Sequence, residues 1–274
     1  MNKPILSIIT VNFNNNEGLI RTLKSVKTQS FSSYEHIIID AGSTDKSKET
    51  IVAYEQSTSH LSYWTSQPDK GIYDGMNKGI EHANGEYLYF LNSGDCLIED
   101  ILTQIKFDGT KYLYGDDCLH RANKKDRIRT YPDIPDFVFL SNDSLCHQAC
   151  FIHHSLFKTK KYNIDYKIAA DWIHCFQCII IEKCSYRHIP IIIAKCDNGG
   201  ISSNGQKLYQ ERIRWFKEYF PPVISKGLID CSALEASSFR NILPILGNTH
   251  KFKTRMRSLI SFLYRIHTLF SLKH

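Results

Sequence analysis

The sequence predicts an α/β fold, a mainly parallel sheet flanked by helices and followed by a C-terminal helical extension. Three observations carry that expectation. Short, apolar, β-branched runs alternate with helix-patterned segments from Ile5 to Leu91. Several of these runs stop at polar or acidic residues, at the carboxyl ends of strands where open α/β sheets bind ligands. The last 24 residues carry six basic side chains, no acid and apolar residues at roughly helical spacing.

Each element follows in order. Ile5–Asn12 reads as a buried strand, and Phe13–Asn16 as a polar turn. Glu17–Gln29 reads as a helix with Leu19, Ile20, Leu23 and Val26 on one face. His36–Asp40 is a second strand, ending in an acid near Gly42. Ser43 or Thr44 is placed to cap a helix running to about Ser57. Leu61–Thr65 is a third strand and Gly71–Asn84 a helix. Tyr87–Leu91 is a nearly all-apolar fourth strand that stops at Asn92-Ser93-Gly94-Asp95, where glycine permits a sharp turn.

Beyond residue 95 the alternation weakens. Tyr112–Asp116 reads as a strand before a Lys/Arg-rich hairpin at His120–Thr130. Trp172–Ile181 reads as a helix with Asp171 at its N-cap, and Tyr186–Ala194 as a strand. Gln206–Tyr219 is a helix stopped by Pro221-Pro222.

Composition excludes several function classes. With 274 residues and 42% hydrophobic side chains, the chain can build one large core. No apolar run reaches the roughly 18–20 residues that span a bilayer, and strand-like sequence from Ile5 leaves no room for an export signal. The expected location is therefore cytoplasmic. The nine scattered cysteines fit reduced thiols better than a disulfide framework, and Cys175 and Cys178 lack a second pair to complete a zinc site. The net charge of +6 resides in the tail; without its six basic residues, 28 basic side chains face 28 acidic ones. A nucleic-acid partner is not expected.

There is no Gly-x-Gly-x-x-Gly after the first strand and no Walker-type loop. Instead the strand ends offer Thr10 and Asn12, Asp40, the pair Asp69-Lys70, and Asp95. An acid such as Asp95 can hold a hard divalent cation against phosphates.

Four blocks occur in a telling order and spacing: residues 8–14 (IITVNFN), 38–45 (IIDAGSTD), 68–79 (PDKGIYDGMNKG) and 85–95 (GEYLYFLNSGD). Together they resemble the family 2 glycosyltransferases, most closely the branch of bacterial colanic-acid, capsule and O-antigen synthesis. The resemblance spans roughly residues 4–205. It implies a GT-A fold with a Rossmann-like sheet, a nucleoside-diphosphate sugar donor (in this family usually a UDP-sugar), and inversion at the anomeric carbon. It implies a catalytic domain at 1–205, with a nucleotide-binding half at 1–97 and an acceptor half at 98–205, and a C-terminal extension at 206–274.

The resemblance also implies roles. Asp40 accepts a hydrogen bond from the base, with Thr10 and Asn12 lining the base and ribose pocket. Asp69, Lys70, Ser93 and Gly94 contact the donor. Asp95 matches the last acid of the Asp-x-Asp metal motif, here Ser93-Gly94-Asp95 without the first acid, and would bind Mg²⁺ or Mn²⁺. Asp171, in Ala169-Ala170-Asp171-Trp172, matches the catalytic base, as inversion needs a carboxylate opposite the leaving group. Asp74, Asn77, His147 and Trp172 are candidate contacts to donor sugar or acceptor. Residues 196–203 resemble the family's Gly-Gly-x-Ser loop.

The acceptor expected is a saccharide or a polyprenyl-linked saccharide. The tail, 251–274, is expected as a basic amphipathic helix on the inner face of the cytoplasmic membrane. Two other readings fit the same strand ends: a nucleotidyltransferase, and a non-catalytic sugar-nucleotide-binding protein.

Overall fold

A computed structural model describes residues 3–121, 124–197, 199–200 and 204–235, the last six of these by backbone alone. The chain forms two compact units, Met1–Trp215 and a second beginning at Phe216. The first unit contains a nine-stranded sheet in the order β3-β2-β1-β4-β8-β6-β9-β5, with β7 paired to β6. The strands are β1 (Leu6–Asn12), β2 (Tyr34–Asp40), β3 (Leu61–Ser66), β4 (Tyr87–Phe90), β5 (Cys96–Leu97), β6 (Tyr112–His120), β7 (Arg127–Arg129), β8 (Cys150–His153) and β9 (Tyr186–Asp197). The parallel pairings of β1 with β2 and β4, of β2 with β3, and of β6 with β9 set one main direction. Only β5, β7 and β8 run against it. The sheet is thus mainly parallel, as the alternating pattern predicts.

The helices α1 (Asn16–Lys27), α2 (Ser47–Ser57) and α3 (Ile72–His82) connect the parallel strands. The first is a well-capped helix: the Asn15 side chain accepts the Gly18 N–H, Glu17 sits in the first turn and Lys24 and Lys27 in the last. Its buried face is Leu19, Thr22, Leu23 and Val26. Ile20, expected on that face, is 48% exposed, and Thr22 takes the place beside the sheet edge. The start of α2 also differs from expectation. Ser43 and Thr44 do not cap it; Asp45 receives the backbone N–H groups of Ser47 and Asn16 instead.

Strands β1, β2 and β4 are buried along their whole length, as a sheet covered on both faces requires. One core cluster joins Leu6, Ile8, Tyr87, Tyr89, Leu113 and Phe151 with Ile193. Another packs Leu19, Leu23, Ile38, Ile51 and Tyr54 together. α3 lies directly on β1: a Cβ on Gly79 would come within 2.4 Å of Ile9 Cγ2.

In the second half of the unit, α4 (Phe137–Asn142) and α5 (Ala170–Phe176) precede the long β9. Asp171 lies in the first turn of α5 rather than at its cap, which is Ala169, and a π-helical turn at Gln177–Ile181 continues it. α6 covers Gly205–Tyr219, and α7, Pro222–Glu235, belongs to the second unit. The eight cysteines whose side chains are described are free, and no helix among the described residues is long and apolar enough to cross a membrane. The expected tail helix at 251–274 lies outside the described residues.

Candidate active site

Parallel pairing brings the carboxyl ends of β1, β2 and β4 to one edge of the sheet. Asn12 and Asp40 are direct partners in the β1–β2 register, and Asp40 pairs with Ser66 of β3. The Asp40 carboxylate is wholly buried and accepts four hydrogen bonds. Oδ1 takes the Asn12 Nδ2–H at 2.7 Å and the Ser43 hydroxyl; Oδ2 takes the Ser43 N–H at 2.9 Å and the Ser66 hydroxyl at 2.6 Å. Burial pushes this carboxyl up, but the bonds from Ser43, Ser66 and Asn12 outweigh it and hold it below the ordinary range.

A carboxylate has about four lone-pair sites. The direct bond to a nucleotide base expected of Asp40 therefore has no vacant acceptor here. Asp40 instead builds the turn at Ala41–Ser43, in which Gly42 adopts a positive φ of 76°. Thr10 also departs from expectation. It is wholly buried, and its hydroxyl bonds His36 Nε2 at 2.9 Å, away from the edge. Asn12 has one unmet group, its buried Oδ1.

Asp69 and Lys70 precede α3. Asp69 accepts the Gly71 N–H at 2.9 Å, and burial raises its pKa. Lys70 is exposed, and its backbone N–H reaches Asp74 at 3.0 Å. Asp74 also pairs with Lys78 at 3.2 Å.

The turn after β4 is fastened to α1. Asn15 Nδ2 donates to the Ser93 carbonyl at 3.0 Å, Gly94 N–H donates to the Thr22 hydroxyl at 3.0 Å, and that hydroxyl donates to the Asp95 carbonyl at 2.7 Å. Gly94, at φ 107°, makes the sharp bend foreseen for it. Asp95 is left with its carboxylate 8% exposed. Its Oδ1 accepts the backbone N–H of Asp197, 102 residues onward, at 3.0 Å. Burial pushes the Asp95 carboxyl up to about 7. The Asp197 amide and Gln148 side chain pull it down, and the Asp197 charge adds to the rise. Asp197 in turn meets Arg21 at 2.8 Å. Neither Gln148 nor Asp197 carries a local sequence signal for this place; the turn before β8 brings Gln148 and β9 brings Asp197.

The 3₁₀ turn His147–Ala149 separates Asp95 from α5. While Gln148 serves Asp95, His147 is buried, stacked on Phe90 at 4.8 Å and bonded to the Tyr162 hydroxyl at 2.8 Å. Burial lowers its pKa against the pull of Asp171. Asp171 is half-buried, and its Oδ1 accepts the Tyr73 hydroxyl at 2.7 Å. Its Oδ2 has no hydrogen-bond partner among the described residues.

Three expected sugar contacts are occupied internally. Both ends of the Asn77 amide bond the Tyr162 backbone, at 2.8 and 3.0 Å. Trp172 is 3% exposed, donates Nε1–H to the Leu140 carbonyl at 2.7 Å and lies under Arg212. His147 is filled by Tyr162 and Phe90 as described. For each, packing and satisfied polar groups account for the residue.

A family model described as glycosyl transferase family 2 matches residues 7–152, more than half of the chain. The chain is a member of glycosyltransferase family 2. This membership decides against the nucleotidyltransferase reading. A Mycobacterium tuberculosis protein described as an uncharacterized glycosyltransferase is 35% identical over 210 residues, covering 73% of this chain and 78% of its own. A PGL/p-HBAD biosynthesis glycosyltransferase of Mycobacterium bovis is 29% identical over 211 residues, covering 74% and 81%. Two solved structures share the fold. S. aureus TarS 1-349 in complex with UDP has a TM-score of 0.61 at 13% identity, covering 90% of this chain and 76% of that one. The Pyrobaculum calidifontis mannosyltransferase PcManGT, in complex with GDP-Man and Mn²⁺, has a TM-score of 0.60 at 15% identity, covering 98% and 84%.

Family 2 members of the GT-A fold work with a divalent cation, and the residues around Asp95 suit one. The donor set is oxygen, as a hard cation requires. A nearly buried carboxyl driven up to about 7, with a second carboxylate adding to the rise, is a site that positive charge would relieve. A second group, Asp117, Cys146 and Cys196, has ligand atoms within 4.8 Å of one another. It does not suit a metal, because both Asp117 oxygens already hold Arg129, and Oδ1 the Tyr131 hydroxyl as well.

Proposed function

We propose that this glycosyltransferase inverts the anomeric centre of a nucleoside-diphosphate sugar, a UDP-sugar in particular, on transfer to a saccharide or lipid-linked saccharide of a bacterial surface polysaccharide. The observation that carries the chemistry is the Asp171 carboxylate: one oxygen fixed by Tyr73, the other without a hydrogen-bond partner among the described residues, in the half of the domain beyond the donor edge. A carboxylate so held can take the acceptor hydroxyl's proton as that oxygen bonds to the anomeric carbon and the bond to the diphosphate breaks. Asp95 and Asp197 would hold Mg²⁺ or Mn²⁺, which when bound offsets the charge of the leaving diphosphate. Ser93, Gly94, Asp69 and Lys70 stand at the donor edge. The turn built by Asp40, with Asn12 behind it, shapes the base pocket.

The UDP preference draws on the family resemblance and on TarS, whose complexes include UDP and UDP-GlcNAc. The polysaccharide role draws on the four blocks shared with the capsule, colanic-acid and O-antigen branch. Placement at the inner membrane face depends on residues 251–274. Sedimentation with anionic liposomes, comparing the whole chain with one ending at Gly247, tests that part; equal binding by both removes it.

The central experiment is thermal stabilisation by UDP, GDP, dTDP and CMP, with and without Mn²⁺, on wild type and Asp95→Ala. A metal-dependent rise with one nucleoside diphosphate, lost in the variant, is expected. No rise with any nucleotide would overturn the donor site. With the donor so chosen, Asp171→Asn is expected to reduce transfer by about 10²–10⁴-fold while nucleotide stabilisation persists.

A further inference from the structure

Two side chains one turn apart on α3 reach across to the acceptor half of the domain. The Tyr73 hydroxyl lies 2.7 Å from Asp171 Oδ1 and 2.7 Å from the Ile168 carbonyl. Asn77 donates to the Tyr162 carbonyl at 2.8 Å and accepts the Tyr162 N–H at 3.0 Å. Residues four apart share a helix face, so the two form a strut against the segment leading into α5. The strut has a firm base. Gly79, without a side chain, sets α3 against Ile9 of β1, and a Cβ on Gly75 would meet Val11 at 3.2 Å. The same helix begins directly after Asp69 and Lys70.

We propose that Tyr73 is a positioning residue for Asp171: it pins Oδ1 and turns Oδ2 toward the acceptor. This rests on the reading of Asp171 as the proton acceptor. A phenol has one proton to give, and the carboxylate is the stronger of its two acceptors. Tyr73 stays a donor, since burial and the Asp171 charge raise its own pKa well above the ordinary value.

The other groups that interact with Asp171 are His147 before β8, Cys150 of β8, Tyr162, Cys175 of α5 and Arg212 of α6. Burial lowers the pKa of His147 and raises those of Cys150, Tyr162 and Cys175, so these are neutral at neutral pH. Arg212, lowered to about 10 by burial, is charged. The Tyr73 hydroxyl is thus the one direct hydrogen bond to the carboxylate among the described residues, while the Glu211 carboxylate of α6 accepts the Ile168 and Ala169 N–H groups just before it.

The test reads Asp171 itself and separates its placement from donor binding. In the whole protein, the carbon-13 carboxyl signal of Asp171, assigned by its loss in Asp171→Asn, is expected to shift in Tyr73→Phe as Oδ1 loses its hydrogen bond. With the donor found by stabilisation, kcat should fall about tenfold with the donor KM unchanged. Replacing Tyr73 with 3,5-difluorotyrosine, a stronger donor of the same shape, should shift the signal the opposite way, and it serves if Tyr73→Phe does not fold. An unmoved signal in either variant, or an unchanged kcat in Tyr73→Phe, overturns the proposal. Full transfer activity in Asp171→Asn would instead remove the base assignment beneath it while leaving the signal readable.

Discussion

The backbone N–H of Asp197 donates to Oδ1 of Asp95 across 3.0 Å, although 102 residues separate them. The bond fixes the turn after β4 to the end of β9 and brings a second carboxylate beside the first. It also explains how a motif with serine in place of its first acid can still present two acids. The second arrives from the far end of the domain, not from two residues upstream.

That geometry gives Asp95 a pH signature. Its pKa in the folded metal-free protein is pushed up to about 7, against about 3.9 in an unfolded chain. A raised folded value contributes stability that is fully present below about pH 4 and lost as pH rises through about 7. The roughly three-unit difference is worth about 4 kcal/mol. Asp95→Asn cannot ionise and keeps an acceptor for the Asp197 amide. Without metal it should melt above wild type at pH 8 and close to it at pH 4.5. Mn²⁺ should stabilise wild type at pH 8 and leave the variant unmoved. A variant that melts below wild type by the same margin at both pH values would show that burial does not strain Asp95.

Asp40 behaves in the opposite sense. Its folded pKa is held down by Ser43, Ser66 and Asn12 against burial. The stability it contributes is therefore present above about pH 4 and lost as pH falls through the lowered value. Asp40→Ala strands two hydroxyls and an amide in a closed site, at a cost of about 3 kcal/mol or more. Urea unfolding at pH 7 should show that loss, and the gap to wild type should narrow below pH 4. Asp40→Asn should recover part of it. A change confined to nucleotide binding, with unfolding unmoved, would restore the direct base contact.

Much of the donor edge was legible because it is local. The runs Leu6–Asn12, Tyr34–Asp40 and Tyr87–Phe90 are buried on both faces, so apolar continuity marks them, and each strand end lies a residue or two from its last apolar position. Asp95 and the bend at Gly94 were legible for the same reason. What the chain does after residue 100 was less so. The reversed strand β8 sits between β4 and β6, and β9 crosses to lie beside β6, pairings between residues 36 to 77 apart in the chain. Gln148 and Asp197 reach Asp95 only through that topology. Thr10, Asn77, His147 and Trp172 are polar or aromatic residues within β1, α3, the turn before β8 and α5. Pattern alone could not separate an interior hydrogen-bond partner from a ligand contact. Tyr73 drew no role from the sequence, and only the fold shows its hydroxyl on Asp171.

Arg129 and Asp117 make a pair of unequal exposure. Asp117 is wholly buried, while the Arg129 side chain is 37% exposed and contributes Nε and Nη2 at 2.9 and 2.7 Å to Oδ2. Breaking such a pair from the cation side leaves a buried charge, at a cost of about 3–5 kcal/mol. Arg129→Ala should lose that much in urea unfolding at pH 7.5. Adding Asp117→Asn to Arg129→Ala should restore more stability than Asp117→Asn adds alone. Simple additivity of the two changes would mean the pair is not coupled.

The seat of α3 on β1 makes the sharpest steric prediction. A methyl group at position 79 would lie 2.4 Å from Ile9 Cγ2, closer than any real contact. In an open helix, Gly→Ala would help by about 1 kcal/mol through propensity. Here the clash should win, since overpacking of this kind costs about 1–3 kcal/mol. Gly79→Ala should therefore lower the melting temperature, and its loss combined with Ile9→Ala should be smaller than the sum of the two single losses, since the smaller side chain clears the space. Because the same helix carries Tyr73 and Asn77, a displaced α3 should also disturb the Asp171 carboxyl signal in Gly79→Ala, and the double variant should bring it back toward wild type. A stabilised Gly79→Ala would mean that α3 stands farther from the sheet than 2.4 Å allows.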